Sequence, residues 1–443
     1  MPALNSGAGR YDADANSVRA VNRDIRIGGE QGEAFLDLLL PLSLLGFLGE
    51  RSGDPAGMIA LLVVWLVLKF LLRTQRSPLA WILIGVLVVS LAEIFHPATI
   101  SSPGDLTLVL LAFAAGCGRT DRQWRISFWI IATISVASLF FVEFDRYNKN
   151  LEIIPFPSIR EWLPIEAVRI QKITINRSGY IFGLLSLIGY GLFRHGGPGF
   201  RRWLAFSLAL LSYLLAFGTG SRAAAGLPIL AILCCELGWF QRQRVSSLAW
   251  PLTGLILIGG LLFNTALYAP WSPLAYQSRS DVGRANVAQC FLAKSFDTLP
   301  ELLTGHGDDR ISEICHRTAK PTPGYQAAPV HAHNAFLQTL ADYGLPAMLM
   351  LVALIGLSFL RNLQAFNDAN GLVSTVGLSI TIFIFCSALV ESTLLKTSLQ
   401  QVLSGYLLAV AWRRGDSRSA ATTFVDHVGQ HGEHEHVQRG NGQ

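Results

Sequence analysis

Residues 330–345 read Val-His-Ala-His-Asn-Ala-Phe-Leu-Gln-Thr-Leu-Ala-Asp-Tyr-Gly-Leu and join a long polar loop to an apolar segment. Three apolar side chains recur at helical spacing from His333, which predicts a helix that holds this histidine on its packed face. Gly344 ends the turn, and Pro346 can open the next helix because its missing N–H costs nothing there. An ionisable residue at the mouth of a membrane segment indicates a functional site.

The composition is that of a membrane protein. Of the 443 residues, 51% are hydrophobic and only 15% are charged, whereas soluble domains carry about 25% charged residues. The net charge of +5 does not indicate a nucleic-acid partner, because the basic residues sit in short clusters between apolar runs.

About twelve apolar stretches are long enough, or nearly so, to cross a bilayer as helices. They cover residues 34–49, 57–72, 78–96, 104–118, 126–142, 178–193, 203–217, 223–240, 247–269, 345–360, 371–390 and 394–412. Basic clusters lie in alternate connections, so the positive-inside rule predicts that both termini are cytoplasmic. The expected fold is therefore an all-α integral membrane protein.

The domain organisation follows from these spans. Residues 1–33 read as a disordered cytoplasmic arm, residues 34–412 as the membrane domain, and residues 413–443 as a disordered cytoplasmic tail. Two long connections are predicted on the outer side. Residues 143–177 suit a short interfacial segment, and residues 270–333 form the largest loop, between spans nine and ten.

Two cysteines lie in the largest loop. An oxidising outer compartment would allow Cys290 and Cys315 to pair, closing a loop of about 25 residues and contributing about 3 kcal/mol. The alternative is a pair of buried thiols.

Arg222 follows Phe-Gly-Thr-Gly-Ser and opens an apolar run, so it must lie near the outer membrane surface. Ser221 can cap the helix that follows. The free N–H groups of a helix start and a forked guanidinium together suit a phosphate-like anion. The alternative is an arginine that reaches to the lipid headgroups.

Further arginines occupy the two outer loops. Arg279, Arg284 and Arg310 lie in the larger loop, and Arg177 lies where the other loop meets the membrane. Arg284 is the preferred anion ligand of this set, although a surface salt bridge would explain any one of them. Gly305 and Gly307 flank one histidine, which indicates a tight turn or a close approach of the backbone to a ligand.

His333 can act as a general base, because imidazole titrates near neutral pH and can take a proton from an attacking hydroxyl. Two other interpretations stay open: a histidine that only bonds locally at a helix start, and a metal ligand. No zinc-binding spacing accompanies it, so no metal is expected. Glu391 stands between two apolar runs and should face the bundle interior, where it could line a substrate path.

Several of these motifs resemble those of the O-antigen ligase and polymerase superfamily. They are His333-Asn334 followed by Tyr-Gly-Leu at a membrane helix, Thr-Gly-Ser-Arg ending at Arg222, and the Gly305-x-Gly307 step with Arg284 upstream. The resemblance covers roughly residues 180–360. An asparagine-rich stretch expected near the sixth span is missing, and Ile-Asn-Arg-Ser around Arg177 is the nearest approach.

The resemblance implies a multi-pass glycosyltransferase of the bacterial inner membrane. Its donor would be a glycan on a polyprenyl diphosphate, usually undecaprenyl diphosphate, and its acceptor a sugar hydroxyl, such as one on lipid A–core, at the periplasmic face. Arg222 and Arg284 would bind the diphosphate, His333 would activate the hydroxyl, and the anomeric configuration would invert. No metal and no other cofactor is implied. Residues in possible contact with substrate are Arg177, Arg279, Gly305, Gly307, Asn334 and Glu391.

The resemblance leaves two functions open, because the superfamily includes ligases of O-antigen and polymerases of O-antigen or exopolysaccharide repeat units. A secondary transporter is the alternative from another class. It would need polar residues at mid-membrane in related halves, and only Glu391 and Lys396 hint at it.

Overall fold

The computed structural model describes a part of the chain that starts at residue 105. The described residues are 105–139, 142–145, 167–170, 175–219, 221–244, 279–307, 310–318, 331–369, 371–391, 393–395 and 398–413. The predicted spans 34–49, 57–72, 78–96 and 247–269, the N-terminal arm and all but the first residue of the tail lie outside them.

Eleven α-helices and one two-stranded ribbon make up most of this part. The helices are α1 Asp105–Gly116, α2 Asp121–Leu139, α3 Ile175–His195, α4 Phe200–Gly218, α5 Arg222–Arg244, α6 Arg279–Ser295, α7 Leu299–Thr304, α8 Arg310–Thr318, α9 Ala335–Ala369, α10 Leu372–Val390 and α11 Ser398–Leu408. Short 3₁₀ turns cover Thr393–Leu395 and Ala409–Trp412. The strands β1 Val142–Asp145 and β2 Ala167–Ile170 pair antiparallel, with Val142 opposite Ile170.

Three of the helices are long and apolar enough to cross a membrane: α4, α9 and α10. A helix of 19 residues is about 28 Å long, close to the thickness of the hydrocarbon core. Shorter apolar helices cover Leu106–Gly116, Ala223–Gly238 and Leu399–Trp412. The predicted helical membrane fold is thus confirmed for the described part. The count of about twelve spans and the placement of the large outer loop stay predictions, and the ribbon within residues 143–177 was not expected.

Helix α3 lies at the centre and packs against α2, α4, α5 and α10. Small residues allow the close approach. A Cβ atom on Gly183 would lie 2.7 Å from the ring of Phe383 and 3.4 Å from Pro228. Because lipid cannot drive helices together as water does, such tight packing supplies much of the association energy within a membrane.

Helix α9 differs from expectation at its start. It begins at Ala335, after His333 rather than through it, and His333 takes a left-handed φ of 50°. The predicted break is present at Gly344, where φ is 82° and ψ is 178°. The structure therefore presents His333 on the turn that leads into the helix.

The three helices α6, α7 and α8 pack on the first half of α9 and form a small unit here called the loop subdomain, residues 279–318. Its core is separate from that of the membrane helices and comprises Val287, Phe291, Ile311, Cys315, Ala332 and Ala341. A disulfide joins Cys290 on α6 to Cys315 on α8, with 5.8 Å between their Cα atoms.

Candidate functional site

The starts of α3, α5 and α9 and the end of α10 meet at one end of the bundle. At this end, a Cβ atom on Gly179 would lie 2.5 Å from Ala224 and 2.8 Å from the Thr219 hydroxyl. At the other end, His195 Nε2 lies 2.8 Å from Thr375 Oγ1, so the end of α3 meets the start of α10. The helix directions therefore gather the predicted site residues of four elements at one end.

His333 and Glu391 are in contact at this end. His333 Nδ1 lies 3.2 Å from Glu391 Oε2, although the two residues are 58 positions apart in sequence. Glu391 is buried and follows directly after α10, where its backbone N–H donates to the carbonyl of Ser387. With Nδ1–H donating to the carboxylate, Nε2 is the ring nitrogen whose lone pair can accept a proton.

Asn334 holds the turn of His333 on both sides. Its Oδ1 accepts a hydrogen bond from the backbone N–H of Leu337 at 3.0 Å, which caps the start of α9. Its Nδ2 donates to the carbonyl of Leu389 at the end of α10, at 3.2 Å. The side chain thus fixes His333 relative to Glu391, and its predicted contact with substrate stays a prediction.

Gln338 and Asp342 support the turn from below and were not singled out in the sequence. Gln338 Oε1 accepts from the backbone N–H of Ala332 at 3.1 Å, and Gln338 Nε2 donates to Asp342 Oδ2 at 2.7 Å. Both side chains are buried. Their sequence signal was a pair of polar residues four apart, on one face of an otherwise apolar helix.

Gly305 and Gly307 approach a helix backbone closely. The N–H groups of His306 and Gly307 donate to the carbonyls of Ala341 and Asp342 at 2.9 and 3.0 Å. In an unbroken helix, these two carbonyls would accept hydrogen bonds from the N–H groups of residues 345 and 346. They are available here because the helix breaks at Gly344 and because Pro346 has no N–H. A Cβ atom on Gly305 would lie 2.4 Å from the Asp342 carbonyl oxygen. The tight spacing is therefore explained by docking onto α9, and a role in substrate binding stays a prediction.

Three of the predicted arginine ligands can be placed only by their backbones, and the side chain of Arg177 is half-buried. Arg177 lies in the first turn of α3, where its carbonyl accepts from Gln400 Nε2 at 3.1 Å. Arg222 is the first residue of α5, Arg279 is the first of α6, and Arg284 follows in α6. The side chains of Arg222, Arg279 and Arg284 lie outside the described residues, so diphosphate binding by them stays a prediction.

The cap predicted before Arg222 is weak. Ser221 Oγ lies 3.5 Å from the backbone N–H of Ala224, at the limit for a hydrogen bond. The backbone N–H of Ser221 makes a separate hydrogen bond, which it donates to Thr219 Oγ1 at 3.3 Å. The turn between α4 and α5 is thus held mainly by Thr219, whose hydroxyl also donates to the carbonyl of Ala216.

Within the described residues, no three His, Cys, Asp or Glu side chains are grouped closely enough to hold a metal ion. Cys290 and Cys315 are bonded to each other in the structure. Metal independence nevertheless stays a prediction.

The comparison with known families identifies one match. Residues 204–352 match the family model described as O-antigen ligase. The matched range runs from α4 into α9 and includes Arg222, Arg284 and His333, whereas Glu391 and Arg177 lie outside it. No curated protein matches the chain.

Proposed function

We propose, from the match of residues 204–352 to the O-antigen ligase family model, that this protein is a glycosyltransferase of cell-surface polysaccharide biosynthesis. It transfers a glycan from a polyprenyl diphosphate carrier to a sugar hydroxyl. The observation that carries the proposal is the contact of 3.2 Å between His333 Nδ1 and Glu391 Oε2. It lies at the end of the bundle where α3 and α5 begin, with Arg177 and Arg222 in their first turns.

In the proposed reaction, the acceptor hydroxyl attacks the anomeric carbon of the donor. His333 Nε2 takes the hydroxyl proton as the new carbon–oxygen bond forms, and Glu391 stabilises the imidazolium that results. The bond from the anomeric carbon to the diphosphate breaks, and its electron pair leaves with the polyprenyl diphosphate. Because the hydroxyl attacks from the side opposite to the leaving group, the anomeric configuration inverts.

The leaving diphosphate gains negative charge in the transition state. Arg222 and Arg284 are the cations proposed to hold that charge, and the N-terminus of α5 adds a favourable dipole. No metal ion and no nucleotide sugar takes part in this scheme. The protein would lie in the bacterial inner membrane, with both termini in the cytoplasm and the site at the periplasmic face.

The proposal is tested in liposomes that contain the full-length protein and a lipid-linked glycan donor. Replacement of His333 by Ala or of Glu391 by Gln should lower transfer by about 10²- to 10⁴-fold, because the base is lost or held in the wrong tautomer. The matched control is Glu236→Gln, a second carboxylate in the membrane helices, which bonds to Tyr190 and Arg194 towards the opposite end of α5.

The control variant should keep near-normal transfer. Wild-type rates for both His333→Ala and Glu391→Gln, in protein that inserts normally, would refute the assignment of the base.

A deletion strain distinguishes the two functions within the superfamily. Loss of a ligase should leave long lipid-linked polymer without a final acceptor, and loss of a repeat-unit polymerase should leave single repeats on the carrier. We favour the ligase reaction, in line with the description of the matched family.

A further inference from the structure

The loop subdomain exposes an unusual apolar surface. Four large apolar side chains are exposed on α6, α7 and the turn between them: Leu292 is 50% exposed, Phe296 57%, Leu299 68% and Leu303 47%. None of them is needed for the core of the subdomain, because α6 buries Val287 and Phe291 on its other side. Large apolar side chains exposed in such number on a small unit indicate a binding surface.

The exposed face of α6 changes in character along its length. In the second half of the helix, where the side chains are described, the exposed residues Asn286 and Gln289 are polar and Leu292 is apolar, and Phe296 follows in the turn after the helix. The apolar end leads directly into α7.

The apolar end lies beside a membrane helix. A Cβ atom on Gly344 of α9 would lie 2.4 Å from the carbonyl oxygen of Leu303, so the end of α7 touches the break in that helix. The outward stripe of α9 starts just after the break and includes Leu349, Val352, Leu357 and Leu360, all exposed. Because α9 is long and apolar enough to span a bilayer, its exposed stripe is expected to face lipid, and the contact at Leu303 places the end of α7 beside the start of that stripe.

The charges at the junction of α6 and α7, within the described residues, are paired. Lys294 Nζ lies 2.9 Å from Asp297 Oδ2, and Glu301 Oε1 lies 3.3 Å from His306 Nε2. A paired charge costs less to bring to a membrane interface than an isolated one.

We propose that α6 and α7 form an interfacial anchor: Phe296, Leu299 and their apolar neighbours lie in the headgroup–acyl boundary of the bilayer. The anchor sets the height of the loop subdomain and, through the backbone bonds to Ala341 and Asp342, the height of His333 above the lipid. This inference goes beyond the proposed function and does not depend on the reaction catalysed.

The test uses nitroxide labels on full-length protein in liposomes of phosphatidylethanolamine and phosphatidylglycerol. Cys117, Cys234, Cys235 and Cys386 are replaced by Ala, the disulfide is kept, and one label is attached at Phe296→Cys, Leu299→Cys or Asn286→Cys. Collision with oxygen, which concentrates in the bilayer, is compared with collision with a water-soluble nickel chelate. Labels at 296 and 299 should collide more with oxygen, and the control at 286 more with nickel.

Two results would overturn the proposal. Equal access of nickel to all three labels would place the patch in water, and protection of positions 296 and 299 from both reagents would place it against protein, such as a second copy of the chain. A label at Leu292→Cys supplies an independent check, because the added substitution Leu299→Asp should increase its contact with nickel. An unchanged contact would also contradict the anchor. Since no transfer assay is involved, failure here leaves the proposed glycosyltransferase standing.

Discussion

At the scale of single residues, the site depends on one unusual backbone conformation. His333 is the one non-glycine residue with positive φ within the described part of the chain. A β-unbranched residue adopts this conformation at a cost of about 1 kcal/mol or more, and it persists only where the surroundings enforce it. Asn334 and Gln338 supply that enforcement through hydrogen bonds on both sides of the turn. The same hydrogen bonds that hold the left-handed backbone of His333 therefore also fix the orientation of its imidazole.

Replacement of Gln338 by Leu tests this orientation. The variant leaves the backbone N–H of Ala332 without its 3.1 Å partner, which should destabilise the protein by about 1–3 kcal/mol. We expect kcat to fall more than KM rises, because the base is misaligned while the donor still binds. Steady-state transfer assays at several donor concentrations would measure the two effects.

The matched control is Thr339→Val, a buried neighbour whose hydroxyl bonds only within its own helix turn, to the carbonyl of Ala335 at 2.8 Å. It should keep kcat. Equal losses in both variants would indicate a general packing defect instead.

At the scale of the elements, the break in α9 and the docking of α7 form one unit. Gly305 has a φ of 72° and faces the Asp342 carbonyl. In an ordinary helix, replacement of Gly by Ala raises the stability by roughly 1 kcal/mol. Gly305→Ala should have the opposite sign and a larger size, because it should lower the free energy of unfolding by more than that amount. Thermal unfolding of the purified protein in detergent would measure it.

Gly356→Ala is the control for this substitution, because Gly356 lies in α9, the helix onto which Gly305 docks, and an added Cβ atom would meet nothing within 4 Å. It should be neutral or slightly stabilising. A Gly305→Ala variant as stable as this control would contradict the docking described for Gly305 and Gly307.

The disulfide belongs to the same scale. Replacement of Cys290 and Cys315 together by Ser should lower the stability of the loop subdomain by about 3 kcal/mol, since their bond closes a loop with a sequence separation of 25. Limited proteolysis would detect this as faster cleavage within residues 279–318, with α3, α4 and α5 still protected. Ser at the unbonded Cys386 should leave the cleavage pattern unchanged. Equal cleavage in all three proteins would show that the bond does not stabilise the subdomain.

At the scale of the whole molecule, long apolar runs made the membrane helices predictable. The spans predicted at 178–193, 203–217 and 371–390 correspond to α3, α4 and α10, with ends that differ by at most three residues. Their apolar character decides the structure because unbonded backbone cannot lie in lipid. The prediction for α9 was wrong at its start, because His333 was expected within the helix, whereas Asn334 caps a helix that begins at Ala335.

The site was only partly predictable. His333 and Glu391 were each recognised as candidates, but their contact joins residues 58 apart, and no spacing in a single sequence encodes that. The loop helices α6, α7 and α8 were not expected either. Helix α6 carries weak helical periodicity, and α7 and α8 are only 6 and 9 residues long. The three are held by a disulfide and by contacts with α9.

The orientation of the bundle leads to a test on the whole molecule. Position 197 lies in the exposed connection between α3 and α4, at the end opposite to His333, and Asn286 lies in the loop subdomain. In intact spheroplasts of a strain with the four unbonded cysteines replaced, a membrane-impermeant maleimide should label Asn286→Cys. It should label Gly197→Cys only after permeabilisation. The reverse pattern would invert the proposed topology.

The break at Gly344 also has a mechanical consequence. The first turns of α9 are bonded to the loop subdomain through Ala341 and Asp342, whereas the longer part beyond Pro346 is embedded in the bundle. The short arm, which follows the turn of His333, and the subdomain are therefore joined as one unit on the same side of the glycine. In the proposed reaction, an acceptor that binds the subdomain would thus be held at a fixed distance from the imidazole.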